Sequence, residues 1–329
     1  MFVGIASRTL SLAAVAALLL AGCSSDPPFV APAPSPTPLA TYQPIAQPEQ
    51  VFGGDCALLL SDDEAREILG PLSPAPASAD VVLPVDLAVE NAGGLSCQWG
   101  GLMVDLLPAG TVGPLPDRLT CGPSDGQLSG EYRCDLDATV DGLVLSGALT
   151  FEVEPTDAVG SAQAVIDLFS ARAASGAIAI RAEPGAWPTP LDCAAADLDA
   201  LAAEFGDAPS IEIVQLGGDA YRTPIQAALE GDAYLAGCAY GNPALTVEQK
   251  NAGVVGYVAV TALGGGAWVY ERLVGDRITV PGFDAAVLVE SGDWFYLNLF
   301  SGPNWMQTSG STDDFRSLYP TLGIIASSL

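Results

Sequence analysis

The alternation of apolar and polar residues along the chain changes character several times. An apolar run from Leu10 to Leu20 comes first, and it is too short to span a bilayer. Residues 27–48 then carry eight prolines among Ala, Ser and Thr, with no hydrophobic period. Such a segment forms no core and prefers extended polyproline II, reaching about 70 Å at full stretch. Periodicity returns near residue 51. Helical patterns run from Asp55-Cys56-Ala57 to Gly70 and from Asp192-Cys193-Ala194 to Gly206, each ending at a glycine suited to a left-handed cap. Ser61-Asp62-Asp63-Glu64 has the form of a capping box. Alternating segments predict strands around Leu102 to Leu107, Leu143 to Val153, Val254 to Leu263 and Val287 to Phe300, with Gly292-Asp293 as a hairpin turn. A helix is predicted over Asp157 to Ser175, with Ala162, Val165, Ile166, Phe169 and Ala173 on one face and Gly176 as its stop. Ser311 to Asp314 then caps a last helix bearing Phe315, Leu318, Leu322 and Ile325, which Pro320 should kink or split.

These elements occur twice, about 140 residues apart. Pro84-Val85-x-x-Ala88-Val89-Glu90 matches Pro224-Ile225-x-x-Ala228-Leu229-Glu230 position for position. Cys97-Gln98-Trp99-Gly100 follows the first segment as Cys238-Ala239-Tyr240-Gly241 follows the second. The order and spacing predict an α+β protein of two tandem copies, each an antiparallel sheet flanked by an N-terminal and a C-terminal helix. The expected organisation is a signal segment at 1–22, an anchor and spacer at 23–50, a first repeat at 51–182 and a second at 183–329.

Arg8, the apolar run and Leu20-Ala21-Gly22-Cys23 together resemble a bacterial lipobox, in which cleavage before the cysteine is followed by its acylation. The resemblance implies that Cys23 carries lipid and tethers the chain to the extracytoplasmic face of the membrane. Ser24, Ser25 and Asp26 fit a mature lipoprotein start.

Export changes the reading of the cysteines, since an oxidising compartment favours pairing of the six that follow Cys23. The duplication selects one pattern: Cys56 with Cys97, Cys193 with Cys238, and the remaining Cys121 with Cys134 across a loop rich in Gly, Ser and Asp. No Cys-x-x-Cys motif occurs, which argues against redox or metal roles. Asp55-Cys56-x-Leu58-Leu59, Gly70 and Cys97-x-Trp99 in an anchored chain also resemble actinobacterial envelope lipoproteins of unknown function. The second copy departs from that pattern at Ala195, Ala196 and Tyr240. The resemblance implies a fold and a location and carries no chemistry.

Composition narrows the chemistry further. The chain of 329 residues has no histidine, which removes Ser-His-Asp and Cys-His catalysis and His-ligated metal centres. Its formal charge of −28 comes without a basic cluster and disfavours nucleic acid. Asp135-x-Asp137-x-Thr139-x-Asp141-Gly142 has the spacing of a calcium loop but lacks the central glycine and the terminal glutamate, and reads as a turn with exposed aspartates. Gly264-Gly265-Gly266 reads as a flexible turn, and Lys250, the only lysine, as an exposed hairpin end. Asn304 and Trp305, placed in a loop after an aromatic strand, are the candidate binding surface, competing with a core role for that region.

The function expected is a non-catalytic binding or interaction module of the cell envelope, tethered through Cys23, with no cofactor, no metal and no nucleic-acid partner. Its partner would be an envelope protein or ligand. A solute-binding lipoprotein of a transporter and a carboxylate-dependent envelope hydrolase are the alternatives, and either would gain from a cleft between the copies.

Overall fold

The computed structural model describes residues 42–69, 81–123, 131–152, 155–173, 193–215, 223–231, 235–246, 255–311 and 315–327. Cys23, the signal segment, Lys250 and the expected cap at 312–314 lie outside the described residues. The fold is α+β with two antiparallel sheets, and residues 42–329 form one compact unit. That unit therefore begins nine residues before the expected start of the first repeat.

In the first half, α1 (Cys56–Leu59) and α2 (Asp62–Leu69) precede α3 (Pro84–Asn91). Strands β1 (Leu95–Trp99), β2 (Leu102–Pro108), β3 (Arg118–Pro123), β4 (Tyr132–Val140) and β5 (Leu143–Phe151) follow, and α4 (Ala158–Ala173) closes the half. The second half has α5 (Leu198–Glu204), β6 (Glu212–Gln215), α6 (Pro224–Gly231), β7 (Leu235–Gly241), β8 (Tyr257–Leu263), β9 (Asp276–Ile278), β10 (Ala285–Ser291), β11 (Trp294–Ser301), β12 (Asn304–Ser311) and α7 (Tyr319–Ala326). The strand orders are β1-β2-β5-β4-β3 and β6-β7-β8-β12-β11-β10-β9. With β1 matched to β7, the first order is contained in the second, and among the described residues β6 and β9 extend it at its two edges.

Local chemistry accounts for the element ends. The Ser61 N–H donates to Glu64 Oε2 at 3.0 Å and the Glu64 N–H returns to Ser61 Oγ at 3.4 Å, which closes the capping box at the start of α2. Pro84 and Pro224 each open a helix, where a missing N–H costs nothing. The β4–β5 connection is Asp141-Gly142, both at positive φ (42° and 83°), as a tight hairpin requires. The calcium-like segment is thus strand β4 and its hairpin rather than a loop. Gly292-Asp293 joins β10 to β11, with Ser291 opposite Trp294. The last helix is split as expected: a 3₁₀ turn at Phe315–Leu318 gives way to α7, with Pro320 in its first turn.

Three apolar clusters organise the interior. One lies between α1, α2, α4 and one face of the five-stranded sheet, around Leu59, Leu106, Leu136 and Phe169. Another joins α5 and α7 to one face of the larger sheet, around Leu201, Tyr240, Leu297 and Leu322. The third is built from both halves: Leu87 and Val89 of α3, Ile225 and Leu229 of α6, Leu107 and Val144 of one sheet, and Leu235, Phe300 and Trp305 of the other. Helix α3 packs on β7, β8 and β12 of the second half, while α6 packs on β2 and β5 of the first.

Tyr42 is the first residue of the compact unit. Its hydroxyl donates to the Gly302 carbonyl at 2.8 Å, and its ring meets Tyr270 and Phe300 at centroid distances of 5.0 and 5.7 Å. Burial, helped by the nearby Asp284 carboxylate, pushes its hydroxyl pKa up to about 12.

Candidate functional site

Several of the polar residues that the interior accepts, Asp105, Asp137, Ser146, Asn298 and Gln307, lie along two rows. Across the five-stranded sheet, Ser96 stands opposite Asp105, Asp105 opposite Ser146, Ser146 opposite Asp137 and Asp137 opposite Arg118. Directly opposed residues share a face, so five polar side chains cross the whole sheet in register. In the larger sheet the corresponding row is Gly237, Thr261, Gln307, Asn298, Val287 and Arg277. Matching Cys97 to Cys238 places Ser96 on Gly237, so the two rows are the same row of the two halves. It is charged in the first and built around two amides in the second.

Each buried member of a row is satisfied, as low-dielectric surroundings demand. Asp105, 5% exposed, accepts from the Ser96 hydroxyl and from Thr223 Oγ1 at 2.7 Å. Burial raises its pKa above the ordinary carboxylate value, and the two hydroxyl bonds offset part of that rise. Asp137, 3% exposed, accepts from Ser146 Oγ at 2.6 Å and from Arg118 Nε at 2.9 Å. Asn298 accepts on Oδ1 from Trp305 Nε1 at 3.0 Å and from Gln307 Nε2 at 2.9 Å.

The rows also join the halves, and they do so reciprocally. Thr223, just before α6, reaches Asp105 of the first row, while Gln307 of the second row donates to the carbonyl of Val82, just before α3, at 2.8 Å. At the end of α3, Asn91 Nδ2 donates to the Gly264 carbonyl at 2.7 Å and Asn91 Oδ1 accepts from Trp268 Nε1 at 2.9 Å. The segment Gly264 to Gly266 is therefore a buried, bonded turn, with Gly265 at φ +74° donating to Asn304 Oδ1 at 3.2 Å. The expectation of a flexible turn is corrected: the Gly264 carbonyl is spent on joining the halves and the Gly265 N–H on fixing the turn to β12.

The expected binding surface at Asn304 and Trp305 is corrected too. Both lie in β12 and not in a loop, because Gly302-Pro303 is a two-residue turn with Ser301 opposite Asn304. Alternation then sends Trp305 inward opposite Phe300, where it is 0% exposed. Disulfides join Cys56 to Cys97, Cys121 to Cys134 and Cys193 to Cys238. The first and third tie the same two elements in each half, and the second is a cross-strand bridge between directly opposed residues of β3 and β4.

A cleft of about 440 Å³ opens beside α4, lined among others by Asp117, Arg118, Asp137, Gln163, Asp167 and Ser170. Its polar groups are already engaged with one another: Asp117 accepts from the Thr139 N–H at 3.1 Å, Gln163 donates to Asp167 at 2.9 Å, and Arg118 is held by Asp137. Asp105 and Asp137, the buried carboxylates of one row, are likewise committed to structural partners.

Sequence reasoning missed Asp105, Asn298 and Asn91, and read Asp137 as an exposed turn aspartate, whereas it is buried within β4. The available signal was a lone polar residue inside an apolar run, as in Leu102-Met-Val-Asp105-Leu-Leu107, since a buried polar group persists only with a partner. Set against known proteins, the chain matches no family model, no curated protein and no solved structure.

Proposed function

We propose that the chain is a lipid-anchored protein of the extracytoplasmic face, acylated at Cys23, whose two copies of one α+β domain form a rigid, non-catalytic binding module held on a Pro-rich stalk. In this reading each copy is a sheet with an N-terminal and a C-terminal helix, as in the envelope lipoproteins that the motifs resemble. The observation that carries it is the repeated bridge: six cysteines beyond Cys23 pair completely, and one bridge, Cys56–Cys97, recurs as Cys193–Cys238 in the other half, which fits an oxidising compartment.

The partner is an envelope component rather than a transported solute. A solute-binding architecture closes a cleft between its halves, whereas here α3 and α6 fill the seam with apolar side chains from both. Expression of the full chain in a bacterium fed labelled palmitate tests the anchoring. The chain should incorporate label and sediment with membranes, and Cys23→Ser should lose both. Label retained by that variant would defeat the proposal.

A further inference from the structure

Among the described residues, the second half carries a slot that the first half lacks. Glu212 on β6 stands opposite Gly241 on β7, and Gly241 stands opposite Tyr257 on β8. The three share one face, so a carboxylate and a phenol ring flank a position without a side chain. The two outer Cα atoms are about 10 Å apart at ordinary strand spacing. A cleft of about 440 Å³ opens there, walled by Leu245 and closed at one end by Asn242. Gly241 has ordinary strand geometry: a Cβ added there would meet the Tyr257 ring at 3.5 Å and the Gly256 carbonyl at 3.8 Å, both comfortable contacts. The glycine is thus not needed by the backbone, and glycine within a strand often marks a close approach by another group.

In the first half the corresponding Gly100 sits at φ +54° in the tight turn between β1 and β2. The slot depends on the edge strand β6, which has no counterpart among the described residues of the first half.

We infer that this slot binds an organic cation, an alkylammonium or guanidinium group, between Glu212 and Tyr257. Tyr257 is 60% exposed, an unusual state for a large aromatic ring beside a carboxylate. Among the described lining residues there is no lysine or arginine. The Asn242 amide nitrogen is spent on the Phe205 carbonyl at 2.8 Å and its oxygen on the Ala244 N–H at 2.9 Å, which fixes the end wall. With Glu212 the one charged group among the described lining residues, the slot suits a ligand that brings donors and positive charge. An aromatic face attracts such a group, a carboxylate adds a charge-assisted hydrogen bond, and Leu245 and Pro243 offer apolar surface to an alkyl stem. The chain's charge of −28 concentrates cations around it and repels anions. The inference does not depend on the anchoring at Cys23.

Calorimetric titration of the full chain in non-ionic detergent with n-butylammonium tests it, with n-butanol and butyrate as neutral and anionic counterparts. Butylammonium should bind saturably at one site, and the counterparts roughly tenfold or more weaker. Glu212→Gln should weaken binding about tenfold and Tyr257→Leu about fivefold. Gly241→Val should fill the slot and abolish binding while shifting the melting temperature by less than about 2 °C, since nothing in the backbone resists it. An Ala-Lys-Ala peptide binding more tightly than butylammonium would assign the cation to a protein side chain, and equal or weaker binding would assign it to a free amine. Binding unchanged by Gly241→Val, equal binding of butanol, or uptake without saturation would each overturn the inference.

Discussion

The hydroxyl of Thr223 donates to the carboxylate of Asp105 at 2.7 Å, across 118 residues of chain. The residue that starts a helix of the second half thereby satisfies a buried acid of the first. Among the described residues no cation is paired with Asp105; hydroxyl donors hold its charge, and burial lifts its pKa. In the window from the ordinary carboxylate value of 3.8 up to the raised folded value, the folded chain binds more protons than the unfolded chain. Stability therefore falls as pH rises through that window. Asp105→Asn should flatten this part of the pH dependence, and chemical denaturation of both proteins from pH 4 to pH 8 checks it. An unchanged slope would show that Asp105 does not govern the effect.

Removing the donor should act in the same direction. Thr223→Val keeps the volume but strips one hydrogen bond from a buried carboxylate, a loss of about 1–3 kcal/mol. The loss should be larger at pH 8 than at pH 4, because only the ionised form depends strongly on the donor. A loss equal at both pH values would place the cost in packing instead.

Trp305 belongs to the interior, so its substitution should be read in stability. Trp305→Ala should cost about 3–5 kcal/mol. Trp305→Phe should cost less, roughly 1–2 kcal/mol, because Asn298 Oδ1 keeps its bond from Gln307. Urea denaturation at equilibrium measures both. A Trp305→Ala protein as stable as the parent would return this residue to the surface.

The three bridges differ in the length of chain they close. Cys56–Cys97 and Cys193–Cys238 span separations of 41 and 45 residues, and Cys121–Cys134 spans 13. In the chain-entropy account, replacing both cysteines of either long bridge with alanine should cost about 1 kcal/mol more than the same change at the short one. The two long bridges should cost the same to within a few tenths of a kcal/mol, roughly, since loop length enters only logarithmically. Matched denaturation curves for the three double variants decide this, and a short bridge worth more than the long ones would contradict it.

Because α3 and α6 each pack on the opposite half, the halves should melt together. Leu229→Ala, in the shared cluster, should lower a single calorimetric transition by about 2–5 kcal/mol of stability without splitting it. Two resolved transitions in the parent protein would mean that the seam is weaker than its packing indicates.

Much of the fold was legible because it is written locally. Pro84 and Pro224 mark helix starts, Ser61 and Glu64 mark a cap, Asp141-Gly142 and Gly292-Asp293 mark hairpins, and Pro320 splits the last helix. The pairing of the cysteines was legible from the duplication, which is a comparison of the sequence with itself. The polar rows were not, because they depend on which strands become neighbours. Asp105 meets Ser146 only once β5 inserts between β2 and β4, and no local pattern states that order. Trp305 was misplaced for a different reason: Gly302-Pro303 reads as the start of a loop, yet it turns the chain in two residues and returns Asn304 to the sheet. The slot at Gly241 was equally hidden, since Glu212 and Tyr257 are 45 positions apart and meet only through register.

Tyr42 has a mechanical meaning. The residues before it connect to the folded unit through a ring wedged against Tyr270 and Phe300 and a hydrogen bond to Gly302, all in the second half, although the chain continues from there into the first. A pull applied at Tyr42 would load the β11–β12 turn at Gly302 before Val51 or the bridge at Cys56. The half most distant in sequence from Tyr42 is therefore the one that holds it.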